Sequence, residues 1–235
     1  MLIVFVVLFI LLVPFFLIYI IIDDKHPSLF TLNRIWAYLF FALIFIPVEV
    51  VYEEPLSKKG RYVFCANHFS YLDIPILCYL NFNAAFVGKS SLAKIPVFGF
   101  MFRKIHIAVD RNKLRSRSEA LKRALEVLGK GTSLIFFPEG GIVSENPPLM
   151  GKFKDGAFRA AVEKQIPVVP VTIPFNWIIL PDDNKFLLNR RKAKIIVHKP
   201  IIVDRTDSIA VNFVKEETFK VINGELRKYY PENTL

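Results

Sequence analysis

Leu2 to Ile22 form a run of 21 residues without a charge. No other feature limits the fold of this 235-residue chain so strongly. As a helix rising ~1.5 Å per residue, the run reaches roughly 30 Å, about one bilayer hydrocarbon core. A cleaved signal peptide would carry a charged leader, a shorter apolar stretch and a small-residue cleavage site, and the run has none of these. A second uncharged run, Ile35 to Val48, has 14 residues. That length is short for a span and suits a dipping or interfacial helix. Pro14 and Pro47 can bend the two segments. The expectation is an N-terminal anchor, as one full span or as a helical hairpin seated in one leaflet.

Charge divides the chain differently. Residues 1–50 hold two basic and three acidic side chains, whereas residues 51–235 hold 29 basic and 18 acidic, a net +11. A basic domain tethered at a membrane is drawn to anionic head groups, at ~1 kcal/mol per Lys or Arg near the surface. Basic loops also favour the cytoplasmic side. Nucleic acid competes for such charge in principle, but the sequence has no zinc-ligand, RNP or helix-turn-helix signature, so a membrane surface is the expected partner. Cys65 and Cys78 sit in apolar runs, as buried thiols of a reducing compartment do.

Beyond the anchor, short β-rich runs alternate with helix-length segments. Tyr62–Ala66, Ala84–Val87, Ile105–Val109, Leu134–Phe137 and Val168–Ile173 read as strands, several of them apolar throughout. Strands covered on both faces have that composition. Ser116-Arg-Ser-Glu119 reads as a capping box opening a helix with an apolar stripe at Leu114, Leu121, Leu125 and Leu128, stopped by Gly129. Asp207 and Ser208 are set to cap a C-terminal helix. The predicted fold is α/β: one domain with a mostly parallel central sheet flanked by helices. The expected division is residues 1–52 as anchor and residues 53–235 as the functional domain.

One stretch, Cys65-Ala-Asn-His-Phe-Ser-Tyr-Leu-Asp-Ile-Pro75, interrupts this pattern with a histidine and an aspartate five positions apart. Pro75 is tolerated only near a helix start. His68 therefore falls on a strand-to-helix turn and Asp73 at the helix entrance, where open sheets concentrate ligands and catalysts. Through such a turn Asp73 can accept a hydrogen bond from His68 Nδ1 and leave Nε2 free as a base. A buried histidine bonded to a helix-capping aspartate is the structural alternative. There is no Gly-x-Ser-x-Gly elbow, so a base here would act on a hydroxyl of the substrate. His26, His106 and His198 are scattered and no metal-ligand spacing occurs. Gly88-Lys89-Ser90 fails as a P-loop because Asn83 stands where the leading glycine belongs.

A second stretch, Phe136-Phe-Pro-Glu-Gly-Gly141, runs from a buried strand into a carboxylate and two glycines that permit close backbone approach. Between the two stretches lie many basic residues. Arg111 among them follows the run Ile105–Asp110 at another strand end, where a guanidinium fork suits a phosphate.

Taken in order, four blocks resemble the glycerolipid acyltransferase family, specifically the 1-acyl-sn-glycerol-3-phosphate acyltransferases that make phosphatidic acid. The blocks are NHFSYLD with His68 and Asp73, and GKSSLAKIPVFGFMFRKIHIAVDR with Lys89, Pro96, Gly99 and Asp110-Arg111. FPEGG with Glu139 and Gly140 follows, leading into Phe153-Lys-Asp-Gly156-Ala, and Ile166-Pro-Val-Val-Pro-Val171 is last. The resemblance implies that His68 deprotonates the free hydroxyl of a lysolipid while Asp73 orients it. Arg111, assisted by Lys89, would hold the glycerol phosphate, and Glu139 and Gly140 would shape the acceptor site. It also implies acyl-CoA or an acyl-carrier protein as donor, with no metal, no other cofactor and no acyl-enzyme. A basic exterior favours the acidic carrier protein. A bacterial-type inner membrane, with the catalytic domain on its cytoplasmic side, is the implied location.

The chain departs from the family's pattern after FPEG, where Thr and often Arg-Ser give way to Gly141, Ile142 and Val143. The acceptor's head group therefore stays open between lysophosphatidic acid, another lysophospholipid and a lyso-aminolipid. A non-catalytic membrane-binding relative and a lipid hydrolase are the rivals from other classes.

Overall fold

The computed structural model describes residues 1–23, 27–183 and 185–231; His26 and the last four residues of the expected domain lie outside them. Helices α1 (Leu2–Ile22) and α2 (Ser28–Leu43) come first, then β1 (Val48–Tyr52), β2 (Val63–Ala66), α3 (Asp73–Ile76), β3 (Ala84–Lys89) and α4 (Phe98–Ile105). β4 (Ile107–Val109), α5 (Leu114–Gly129), β5 (Ser133–Phe136), α6 (Gly156–Lys164) and β6 (Val168–Thr172) follow, and α7 (Asn176–Ile179), β7 (Ala193–Val197) and α8 (Ser208–Tyr229) complete the chain.

The strands form a seven-stranded sheet in the order β1-β7-β6-β2-β5-β3-β4. Strands β6, β2, β5, β3 and β4 are mutually parallel, and β1 and β7 are parallel to each other. The β6–β7 junction is antiparallel. Alternation along β2 shows why its sequence is apolar throughout. Phe64 and Ala66 join one core with Phe86, Ile135 and Val171, while Val63 and Cys65 join the other with Leu134, Ala124, Phe158 and Val214. Both faces are covered by helices, so neither can be polar.

The N-terminal helices pair antiparallel. Phe5 packs edge-on against Trp36 at one end of the pair, and Phe16 and Ile20 meet Leu29 and Leu32 at the other. Met101 and Ile105 of α4 join the latter group, which fastens the pair to the domain. Only Leu8, Phe16 and Ile20 of α1 are buried; Ile3, Ile10, Leu11, Ile18 and Ile21 face outward. α1 is long and apolar enough to cross a membrane.

Several elements start elsewhere than the sequence suggests. The uncharged run Ile35–Val48 is no helix of its own. It is the second half of α2, a turn and the first residue of β1. α2 begins earlier because its buried stripe starts at Leu29, and it takes in Arg34, whose guanidinium donates to Asn81 Oδ1 at 2.7 Å and to Thr31 Oγ1 at 2.8 Å. β1 thus lies inside residues 1–52 yet pairs with β7 along its whole length. Ile105 ends α4, because His106 N closes that helix on Phe102 O and the strand starts only at Ile107. Ser116 is not a cap: α5 starts at Leu114, and Ser116 Oγ instead accepts a hydrogen bond from Asp110 N at 2.9 Å. The buried stripe of α5 is Ala120, Ala124 and Leu128, with Leu114 exposed. Asp207 does cap α8, its Oδ1 accepting from Ala210 N at 2.8 Å.

Candidate active site

Parallel strands deliver their C-terminal ends to one edge of a sheet, and here that edge gathers the sequence blocks. β2 leads into Asn67-His68, β3 ends in Lys89, β4 leads into Asp110-Arg111, β5 into Phe137–Gly141, and β6 into Ile173–Asn176.

His68 and Asp73 meet. Nδ1 of His68 lies 3.0 Å from Asp73 Oδ2, and since a carboxylate only accepts, Nδ1 carries the proton. The same oxygen accepts from Phe69 N and Ser70 N, each at 2.8 Å. These two bonds curl the turn around the carboxylate, which is how five residues of separation become contact. Asp73 Oδ1 accepts from Asn176 Nδ2 at 2.9 Å. The His68 ring stacks on Phe137, with centroids 3.9 Å apart and planes 17° apart. It is 7% exposed. Nε2 bonds to none of the described residues, and it is absent from the fully enclosed polar atoms that lack partners. The arrangement therefore presents one free basic nitrogen on a ring fixed in orientation and tautomer.

Glu139 braces the turn from below rather than facing open space. Its Oε1 accepts from His68 N and its Oε2 from Gly151 N, both at 2.8 Å. Burial pushes its carboxyl up to about 7, against the pull of those two backbone donors, and the charge of Asp73 adds to the rise. Gly140 and Gly141 have φ of +98° and +155°. The first value is one that side-chain-bearing residues rarely adopt, and the Lys154 side chain packs against the bare Cα, its Nζ 2.8 Å from where a Cβ on Gly140 would sit. A Cβ on Gly141 would lie 3.7 Å from Arg111 Nη1. Two cations thus lie against the glycine turn, and neither has an acidic or carbonyl partner among the described residues. Burial lowers the pKa of Arg111 from its usual value. Lys89 is exposed and pairs in register with Val109, two residues before Arg111, so it shares the edge without touching the histidine.

Sequence reasoning missed Lys154, although the block containing it was noted. It also missed the segment after β6, which zips onto the His68 turn. Asn67 exchanges hydrogen bonds with Ile173 through its side chain, Nδ2 to O at 3.0 Å and N to Oδ1 at 2.8 Å, and Ser70 Oγ donates to Leu180 O at 2.8 Å. The one signal available was a polar residue, Asn176, embedded in an apolar stretch.

Elsewhere, Glu53, His198 and Glu225 hold potential ligand atoms within 4.8 Å of one another. Both ring nitrogens of His198, both oxygens of Glu53 and one oxygen of Glu225 are already engaged within the cluster or by Thr172, Lys199 N and Lys228, so the cluster reads as a hydrogen-bond network.

Comparison with known proteins identifies the class. The Acyltransferase family model matches residues 47–174, more than half of the chain, and the protein belongs to that family. A relative from Brassica napus, "1-acyl-sn-glycerol-3-phosphate acyltransferase BAT2, chloroplastic", is 35% identical over 64% of this chain and 44% of its own. The Arabidopsis thaliana protein "1-acyl-sn-glycerol-3-phosphate acyltransferase LPAT1, chloroplastic" is 32% identical over 74% of this chain and 49% of its own. The chain thus spans about half the length of these relatives. A crystal structure of the 1-acyl-sn-glycerophosphate acyltransferase PlsC from Thermotoga maritima superimposes with a TM-score of 0.76, covering 97% of this chain and 93% of the other at 21% identity, and so shares the fold.

Proposed function

We propose that the protein is a membrane-bound O-acyltransferase that moves a fatty acyl chain from an acyl thioester to the free hydroxyl of 1-acylglycerol-3-phosphate, giving phosphatidic acid. The observation that carries this reading is the free Nε2 of His68, on a ring whose Nδ1–H is spent on Asp73. Nε2 takes the hydroxyl proton as the oxygen attacks the thioester carbonyl. The tetrahedral intermediate collapses with loss of the C–S bond, and the imidazolium returns its proton to the departing sulfur. The base contributes ~10²–10⁴ in rate. Coenzyme A or a carrier protein supplies the thioester.

Arg111 and Lys154 hold the acceptor's phosphate in this reading, and Lys89 adds positive charge at the rim. Their support is two cations, Arg111 and Lys154, beside Gly140 and Gly141 without an acidic or carbonyl partner among the described residues. Lys154 supplies positive charge beside a turn where Gly141, Ile142 and Val143 bring none, which favours a phosphorylated acceptor. Glu139 shapes the acceptor side indirectly, through the backbone of His68. The outward apolar face of α1 seats the protein on the bilayer, with the basic domain on the cytoplasmic side.

The test is a panel of lysolipid acceptors offered to the purified protein with acyl-CoA or acyl-carrier protein, with products read by mass spectrometry. Phosphatidic acid with release of free thiol is expected. Acylation of a phosphate-free lysolipid alone overturns the acceptor assignment, and vesicle binding without any turnover overturns the enzymatic reading.

A further inference from the structure

We propose that Asn176 is a positioning residue for the reaction: its side-chain amide fixes the Asp73 carboxylate and, through it, the ring of His68. The inference rests on the reading of His68 as the base.

Asn176 is 1% exposed, at the start of the four-residue helix α7. Its Nδ2 donates to Asp73 Oδ1 at 2.9 Å. Asp73 Oδ2 already accepts three hydrogen bonds, from His68 Nδ1, Phe69 N and Ser70 N. Those three share one oxygen and leave the carboxylate free to swing about it; the fourth, on the other oxygen, locks the plane. A carboxylate that cannot rotate keeps its lone pair aimed at Nδ1, and the ring keeps Nε2 turned outward.

The amide's own oxygen supplies a second observation. Asn176 Oδ1 is fully buried and has no hydrogen-bond partner, one of two such side-chain atoms among the described residues. A buried acceptor left unsatisfied is costly, and a residue chosen for packing alone would not carry one. Turning the amide over would relieve nothing, because Oδ1 would then face the carboxylate. The donor is what this position retains. The amide also comes from outside the matched family region, residues 47–174, and reaches Asp73 across 103 positions of sequence. Neighbouring contacts, Asn67 with Ile173 and Ser70 with Leu180, hold the segment against the turn, so the amide arrives on a fixed platform.

Two substitutions test this in the full chain. Asn176→Leu keeps the branched outline, though its methyls are bulkier than the amide groups, and removes both the donor and the orphaned oxygen. We expect kcat per folded molecule to fall ~10–100-fold, as when an orienting partner behind a functional histidine is lost, with KM little changed. Asn176→Asp keeps the shape and makes a carboxyl pair with Asp73. Near the pair the titratable groups are His68 and Glu139. While the pair shares one proton the hydrogen bond survives, and when that proton leaves, two like charges face each other. The pH–rate profile of this variant should therefore gain a falling alkaline limb that the parent lacks.

A readout independent of substrate separates this proposal from the function. In ¹⁵N spectra of the detergent-solubilised protein, the parent His68 should show a protonated Nδ1 and an acceptor Nε2, and Asn176→Leu should mix the tautomers. Should no acceptor on the panel be turned over, these ring signals still decide about Asn176. Parent-like kcat in Asn176→Leu, or His68 signals identical in all three proteins, overturns the proposal. So does a lowered unfolding midpoint with unaltered activity per folded molecule.

Discussion

Two histidines in this protein are built almost alike. His68 follows β2 and His198 follows β7, two places along the sheet. Both are buried, and both set Nδ1 against a carboxylate, Asp73 at 3.0 Å and Glu53 at 2.8 Å. They differ at the far nitrogen. His198 Nε2 meets Thr172 Oγ1 at 2.8 Å, so its ring is used on both sides. His68 Nε2 bonds to nothing described, and its ring is held by stacking on Phe137. A histidine–carboxylate pair is therefore not itself a sign of chemistry. What separates a base from a tie is whether the second nitrogen is spent.

The largest expected effect breaks or makes that distinction directly. His68→Ala should lower turnover per folded molecule by about 10²–10⁴, while the chain stays folded with a lower midpoint, since the buried ring takes with it the stacking on Phe137 and the Asp73 hydrogen bond. Asp73→Asn should act in the same direction, because an amide presents a donor to the wrong tautomer of the ring. Thiol release measured beside circular dichroism separates the two readouts. Full activity in His68→Ala would reduce both histidines to ties.

The next effect concerns what lies around the open histidine. Arg111→Gln with Lys154→Gln removes both cations beside Gly140 and Gly141. Each charge-assisted hydrogen bond to a phosphate contributes ~1.5–3 kcal/mol, so KM for a phosphorylated lysolipid should rise at least ~10-fold. KM for a phosphate-free lysolipid should stay put. Equal changes for both acceptors would place the cations elsewhere in the cycle. His198 predicts the opposite pattern. His198→Leu strands Thr172 Oγ1 and Glu53 without their partner and should cost ~1–3 kcal/mol of stability, with kcat per folded molecule unaltered. Denaturant titration beside the same assay reads it, and a drop in kcat alone would erase the contrast.

Much of this was legible in the chain, for physical reasons that also explain the gaps. Strands buried on both faces declare themselves as apolar runs, and β2, β3, β5 and β6 were found that way. β1 and β7 lie at and beside the sheet's edge, and each carries one charge at its second position, Glu49 or Lys194, which leaves an apolar run of only three residues to mark it. His68 and Asp73 could be paired because the turn between them is short. The Glu139 brace on His68 spans 71 positions and the Asn176 bond to Asp73 spans 103. Contacts of that separation are set by strand order, which periodicity does not encode. Lys154 was hidden differently: a lysine in a loop is ordinary until Gly140 is seen to leave room for it.

The smallest expected effect sharpens the comparison through pH. The carboxyl braced under the open histidine, Glu139, is pushed up to about 7, chiefly by burial. Beside the closed histidine, burial also raises Glu53, but the His198 hydrogen bond and the Lys199 N–H outweigh it and hold that carboxyl below its usual value of 4.5. The two sites should therefore tilt stability in opposite senses. Between about pH 4.5 and 7 the folded chain keeps a proton on Glu139 that the unfolded chain has released. Its contribution is complete below that window, declines as pH rises through it and is flat above. Glu53 contributes above its unfolded value and loses that contribution as pH falls below it. Replacing Glu139 by Gln should remove a slope of less than one proton between pH 5 and 7 and leave the acid limb intact. Glu53→Gln should do the reverse. Unfolding free energies of the parent and both variants across pH 3.5–8 measure this, and parallel curves for all three would show that neither carboxyl changes its proton affinity on folding.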